Sequence, residues 1–203
     1  MLSLFGGEYL VGISHDTDQR ILEQAMNMIR ENGEDQLSLR KLARAIGLTT
    51  GAFYKHFATK DDLLRAVTQL LSQREEAEMT QVLEQITDPE EKLLVMAAEI
   101  LQRFEADPHL MHFLFFNPAA RDVLKAEPGQ FGFYDQVIQL IKDVLRKRGI
   151  TIDPQILFIQ LWSFIQGYGL LIDSGITSYD PNLVRKTLKD LLELSLIHIS
   201  EPT

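Results

Sequence analysis

The sequence predicts an all-α chain: a small N-terminal three-helix unit containing a helix-turn-helix, followed by a larger helical domain. Three observations carry this. Apolar residues recur at the 3.6-residue period in block after block, strand-like alternation is almost absent, and prolines and glycines fall at the block ends. The 203 residues leave room for one small unit joined to a larger one. With 45% hydrophobic and 24% charged residues the composition is that of a globular chain.

The first helix is expected over Thr17 to Arg30, capped by Asp16 or Thr17 and ended by Gly33, with Ile21, Leu22, Ala25, Met28 and Ile29 as its apolar stripe. Ser38 caps a short helix to Ile46, and Gly47 ends it. A third runs from Thr49 to about His56. Thr59 caps a long helix to about Ile86, with Asp61 and Asp62 in the first turn, where carboxylates favour the positive helix end. Asp88-Pro89 and Asp107-Pro108 are breaks, so helices follow over Glu90 to Ala106 and His109 to Phe116. Asn117 to Gly132 reads as an irregular or partly helical connection. Phe133 to Arg148 is helical, closed by Gly149. Pro154 opens a helix to about Asp173, and Pro181 opens the last one, to about Leu196.

Several classes of chemistry are not expected. With no cysteine there are no disulfides, thiolate nucleophiles or thiolate metal sites, and the chain suits a reducing cytoplasm. No run of about 18 apolar residues predicts a membrane span. Met1 to Ile13 is interrupted by Gly6, Gly7 and Glu8 and has no basic leader, so no secretory signal is expected. No nucleophile–base pair, phosphate loop or metal-binding run predicts an enzyme or a cofactor. His109 and His112 are three apart, with Glu105 and Asp107 nearby, but lack a spaced third ligand, so capping or packing is the expectation and no metal. Glu75, Glu76 and Glu78 read as a solvated acidic face.

The net charge is −9, yet between Ser38 and Lys60 stand Arg40, Lys41, Arg44, Lys55 and Lys60 without an Asp or Glu. One acid-free basic window in an acidic chain predicts a local anion contact. The stretch Leu39–Leu64, LRKLARAIGLTTGAFYKHFATKDDLL, has two short helices joined at a glycine turn. Leu42, Ile46, Leu48, Phe53 and Phe57 supply its small core, and Ala43 is small where the second helix comes close. The remaining positions are free to face DNA. Thr49, Thr50 and Gly51 open the second helix, the end that enters a major groove in this motif. Thr50 can meet a base edge or a thymine methyl, and Lys55 is a second candidate for base reading. Tyr54, His56 and Lys60 can donate to phosphates, and Arg40 to a phosphate or a guanine edge.

These residues resemble the TetR family. Its DNA-binding region reads as a helix, a hydroxyl residue with an RxLAxxxG run, a recognition helix ending in YxHF, and then xxKxxLL. The counterparts are Ser38, Arg40-Lys41-Leu42-Ala43-Arg44-Ala45-Ile46-Gly47, Tyr54-Lys55-His56-Phe57 and Lys60-Asp61-Asp62-Leu63-Leu64, within a match from Thr17 to Val67. The resemblance implies a homodimer, a palindromic double-stranded DNA operator and repression relieved by a small ligand. Where many members carry a basic arm ahead of the first helix, this chain has Glu8, Asp16 and Asp18, so tail contacts to DNA are not expected. The alternative is a ligand-independent architectural or cell-division DNA-binding protein on the same scaffold.

The helix from Pro154 is apolar around most of its circumference and needs cover on several sides. A second copy of the chain is the natural cover for one side, with Phe158, Trp162, Ile165, Leu188, Leu191 and Leu192 as the expected dimer interface. Ser163 and Gly167 permit close approach, and Trp162 to Gly167 resembles a loose family feature. Aromatic and sulfur side chains cluster from Met96 to Tyr168. They read either as a plain helical core or as an apolar effector pocket, with Met96, Phe104, Met111, His112, Phe116, Phe131, Tyr134, Trp162 and Gln166 as its candidates and Gln166 or His112 as the polar handle. The expected division is a tail at 1–15, the helix-turn-helix domain at 16–62, the effector and dimerisation domain at 63–196, and a tail at 197–203. That tail resembles translated adapter sequence.

Overall fold

The computed structural model describes residues 7–117 and 131–197, with side chains described for 16–117 and 131–193. Among the described residues all regular structure is helical: α1 (Gly7–Asn32), a single 3-10 turn (Glu34–Gln36), α2 (Leu39–Ala45), α3 (Thr50–Phe53), α4 (Lys60–Leu83), α5 (Pro89–Ala106), α6 (Pro108–Phe116), α7 (Gly132–Arg148), α8 (Pro154–Asp173) and α9 (Pro181–Ile197).

The caps explain most boundaries. Thr59 and Asp62 form a reciprocal capping box at the start of α4. Asp88 and Asp153 cap α5 and α8 through Glu90 N and Gln155 N. Pro89 and Pro108 are the first residues of α5 and α6 rather than breaks outside them, because a proline at that position lacks only an N–H that has no helical partner anyway. Two ends differ more. α1 starts at Gly7, ahead of the expected cap at Asp16 or Thr17, so much of the expected 1–15 tail is helix; no proline interrupts the run, and Gly12 alone is a tolerable cost of about 1 kcal/mol. α3 is only one turn and yields to turns from Tyr54 to His56. Of the expected connection at 117–132, residues 118–130 lie outside the described residues. So do 198–203 of the expected tail, while Ile197 ends α9.

α1 to α3 enclose a small core around Ile21, Ala25, Ile29, Leu42 and Phe53. α4 joins them to a larger bundle in which α5 packs on α7, α8 and α9. The acidic face expected at Glu75, Glu76 and Glu78 is not simply solvated. α4 is packed by α1, α5 and α7, so Glu75 is buried and its carboxylate takes Arg103 Nη1 at 2.5 Å, with Glu78 on Nη2 at 3.0 Å. Burial pushes the Glu75 carboxyl up, partly offset by Arg103. Gly169 lets α8 approach Phe104 of α5: a Cβ there would lie 2.6 Å from the ring.

α8 is one helix among the described residues that is long and apolar enough to cross a membrane, with mean hydropathy 1.4, although the sequence suggested none. Its apolarity has two destinations. Leu157, Phe158, Leu161, Ile165, Tyr168 and Ile172 are buried against the other helices. On the opposite side Ile156, Ile159, Ser163, Gly167 and Leu170 form an exposed stripe.

Candidate nucleic-acid interface and internal cavity

The turn between α2 and α3 is held by the backbone. Gly47 adopts φ 75°, Leu48 N bonds Ala43 O at 2.8 Å and Gly47 N bonds Arg44 O at 3.2 Å, the paired pattern that closes a helix through a left-handed residue. Arg20 of α1 reaches Ile46 O at 3.2 Å and fixes the end of α2. Thr49 caps α3 by accepting from Ala52 N at 3.1 Å, and Ser38 caps α2 by accepting from Lys41 N at 3.4 Å. Both oxygens are committed as acceptors, and each hydroxyl keeps its hydrogen as a donor.

Around this turn the expected DNA residues separate into two groups. Arg40, Thr50, Gly51, Tyr54 and Lys55 are exposed, Tyr54 at 47%. Arg40, Lys41, Arg44 and Lys55 make no side-chain hydrogen bond or ion pair among the described residues. Elsewhere Arg30, Arg74, Arg103, Lys147, Arg148 and Arg185 are each held by a carboxylate. The other group is tied down. His56 is largely covered and its Nδ1 donates to Asp18 Oδ1 at 2.6 Å. With that N–H committed, Nε2 can donate to a phosphate only when the ring is protonated. Lys60 is half-buried and its Nζ donates to Glu34 O at 3.4 Å, which joins the start of α4 to the loop after α1. Asp18, one of the acids that replace a basic arm, positions His56.

The three-helix unit is also joined to α6. Arg30 pairs with Asp107 at 2.7 Å, and His109 Nδ1 lies 3.0 Å from Arg30 O. His112 pairs instead with Asp173 at 2.9 Å, so the two histidines serve different junctions.

A cavity of about 60 Å³ lies between α4, α6, α7 and α8, lined by Thr68, Ser72, Leu114, Phe115, Phe131, Phe133, Tyr134, Val137, Phe158, Trp162 and Gln166. Four expected effector residues are there: Phe131, Tyr134, Trp162 and Gln166. Five are not. Phe104 stacks on Phe115 within the core, its ring centroid 5.4 Å away, and Met111 is buried in the same core. Met96 lines a smaller gap of about 20 Å³ toward α9. His112 is exposed and packs on Phe116, with centroids 5.1 Å apart, away from the cavity. Thr68, Ser72, Leu114, Phe115, Phe133, Val137 and Phe158 line it without having been candidates. The first two are polar residues four apart in the apolar stripe of α4, and that spacing was the available signal.

The dimer expectation also needs correction. Phe158, Ile165, Leu188 and Leu192 are buried inside the subunit, and Trp162 and Leu191 are partly buried against its core. Phe158 packs edge-on to Tyr134 at 5.1 Å and stacks on Trp162 at 5.2 Å. The reason is rotational: on a helix apolar all round, periodicity does not say which side meets its own subunit. Burial pushes the Tyr134 phenol up, leaving it a neutral hydroxyl at pH 7.

Residues 21–67 match the family described as bacterial regulatory proteins, tetR family. Over 57 residues the chain is 37% identical to the HTH-type transcriptional regulator AcrR of Shigella flexneri, a match that covers 28% of this chain and only 26% of that protein's length. A more distant similarity, 22% over 162 residues, covers 73% of this chain and 80% of the nucleoid occlusion factor SlmA of Vibrio atlanticus. The solved structure of RolR with resorcinol superposes with a TM-score of 0.69 over 95% of this chain and 97% of that one, at 19% identity, which shows a common fold. With the glycine-turned helix pair and its exposed basic surface, these matches identify residues 21–67 as a DNA-binding region of the tetR family of bacterial regulatory proteins.

Proposed function

We propose that the chain is a homodimeric, sequence-specific DNA-binding repressor, released from a palindromic operator by a small apolar or aromatic effector. The observation that supports the DNA contact is the set of exposed cations, Arg40, Lys41, Arg44 and Lys55, without carboxylate partners among the described residues around the α2–α3 turn of an acidic chain. Phosphate oxygens are the partners such a cluster lacks. Thr50, Gly51, Tyr54 and Lys55 are the groove-facing candidates, with Thr49, Ser38 and Arg40 beside them. Lys60 and a protonated His56 are positioned donors at the rim.

A second copy fits the exposed stripe of α8, extended by Leu171 and by Leu183 of α9. A two-fold pair would carry two recognition helices to grooves about 34–36 Å apart or somewhat more. The cavity is the proposed effector site. Its walls include α4, which leaves the helix-turn-helix at Thr59, and α6, whose first residues hold the end of α1. A ligand that prefers a different α4–α6 arrangement changes DNA affinity by its differential affinity for the two states. RolR with resorcinol offers a related fold holding a small aromatic molecule. DNA regulation of this kind suits the cytoplasm.

Selection from a random DNA pool tests the reading. The recovered sites should be palindromic, and binding should fall with salt along a slope of about −7, as expected for four cations in each of two subunits. No enriched site, or a salt-independent affinity, would falsify it. The similarity to SlmA favours a second reading, a ligand-independent factor bound at many clustered sites. Clustered genomic sites together with an empty effector screen would select it.

A further inference from the structure

We propose that the cavity takes an uncharged, single-ring aromatic molecule carrying an oxygen acceptor, with the Ser72 hydroxyl as its donor. This rests on the effector reading above and names the chemical class that reading leaves open.

Three features of the cavity lead there. Phe115, Trp162, Phe158 and Tyr134 form a continuous series of ring contacts with centroids 5.0–5.2 Å apart, a wall suited to a flat apolar body. None of the described lining residues is charged, so a buried carboxylate or ammonium would find no counter-ion among them, which low-dielectric surroundings penalise heavily. Ser72 then gives the class its polar end. It is 4% exposed, and its Oγ accepts from Phe133 N at 3.3 Å. The hydroxyl hydrogen has no acceptor among the described residues. Thr68 differs, since its hydroxyl already donates to Leu64 O at 2.8 Å and accepts from Asn117. A buried donor without an acceptor calls for one, and an aryl ketone or phenol oxygen supplies it. Gln166 is only partly buried and its amide makes no hydrogen bond among the described residues, so it can serve a second polar group.

Size bears on how a ring enters. The cavity, about 60 Å³, is smaller than the roughly 150 Å³ that holds benzene. A ring therefore binds only by pushing walls apart, and Tyr134, Trp162 and Gln166 are the described lining residues that are only partly buried.

Calorimetric titration of the full chain with acetophenone, toluene, benzoate and tetramethylammonium tests this. Trp162, the sole tryptophan, reports occupancy of the cavity by its fluorescence with the non-absorbing probes. Acetophenone should bind about fivefold more tightly than toluene, the worth of one hydrogen bond, and the two ions should bind far more weakly. Ser72→Ala should erase the fivefold preference and leave toluene unchanged, which also shows that the cavity is still folded. If Ser72→Ala unfolds the chain, Ser72→Cys keeps the volume with a weak donor and must show the same loss. Benzoate or tetramethylammonium binding as tightly as acetophenone, no binding by any probe, or a preference that survives at position 72 overturns the proposal. Adding acetophenone to the complex with selected DNA separates the two claims: Ser72-dependent binding without DNA release contradicts the effector reading and leaves the ligand class standing.

Discussion

Among the described residues, four cations around the α2–α3 turn stand in solvent with no carboxylate bonded to them, whereas the eleven that line the cavity carry no charge. In the first region the helices expose what they need a partner to neutralise. In the second they present neutral surface and one hydroxyl hydrogen with no acceptor among the described residues. On the proposed function, one small acidic chain serves two unlike ligands: long-range attraction is confined to the side that meets a polyanion, and selectivity on the other side is left to shape, ring contacts and a single donor.

The largest expected effect lies on the charged side. Arg40→Gln, Arg44→Gln and Lys55→Gln together should reduce the salt slope by about 5 units for a dimer and weaken binding at least a hundredfold, measured by fluorescence anisotropy with selected DNA. If the slope is unchanged, the contrast between the regions has no functional content. Next comes the exposed α8 stripe. Ile159→Asp buries an unpaired carboxylate if a second copy sits there, and sedimentation should show the dimer replaced by monomer at micromolar concentration. A dimer that persists would move the interface elsewhere. Gly169→Ala should cost about 1–3 kcal/mol in urea unfolding, because the new methyl meets Phe104, and Phe104→Leu in the same chain should recover part of it.

The smallest effect concerns the pair joining the starts of α5 and α7's end. Arg148 donates two hydrogen bonds to Glu90 at 2.8 and 2.6 Å and holds its carboxyl below the usual range. A carboxyl lowered in the folded state stabilises above its unfolded value of 4.5, and that contribution is lost as pH falls through the folded value. Glu90→Gln should therefore cost about 0.5–1 kcal/mol at pH 7 and flatten the fall in stability below pH 4.5.

The helix-turn-helix unit was legible because its constraints are local. Ser38, Gly47, Thr49 and Thr59 each act within a few residues, and each has the capping or turning role its neighbourhood implies. Even there two residues have distant partners that local reading did not foresee: His56 meets Asp18, 38 positions away, and Lys60 meets Glu34. The C-terminal part turns on long-range contacts throughout. Phe158 and Ile159 are adjacent and both apolar, yet one lines the cavity and the other faces solvent at 51%, a choice made by α5, α7 and α9. Composition announced an aromatic cluster, but only the packing of four helices divided it into Phe104 and Met111 of the core and Trp162 and Tyr134 of the cavity wall. Glu75 shows the same limit: three acids within four residues read as a wet surface until Arg103 arrives from α5.

Footprinting of the protein on its selected DNA is the decisive measurement. Two protected half-sites related by two-fold symmetry are expected, with major-groove protection centred about 34–36 Å or somewhat more apart, and loss of both when Lys55 is replaced by Glu. Protection of a single unsymmetrical segment, or a footprint indifferent to Lys55, would contradict that expectation.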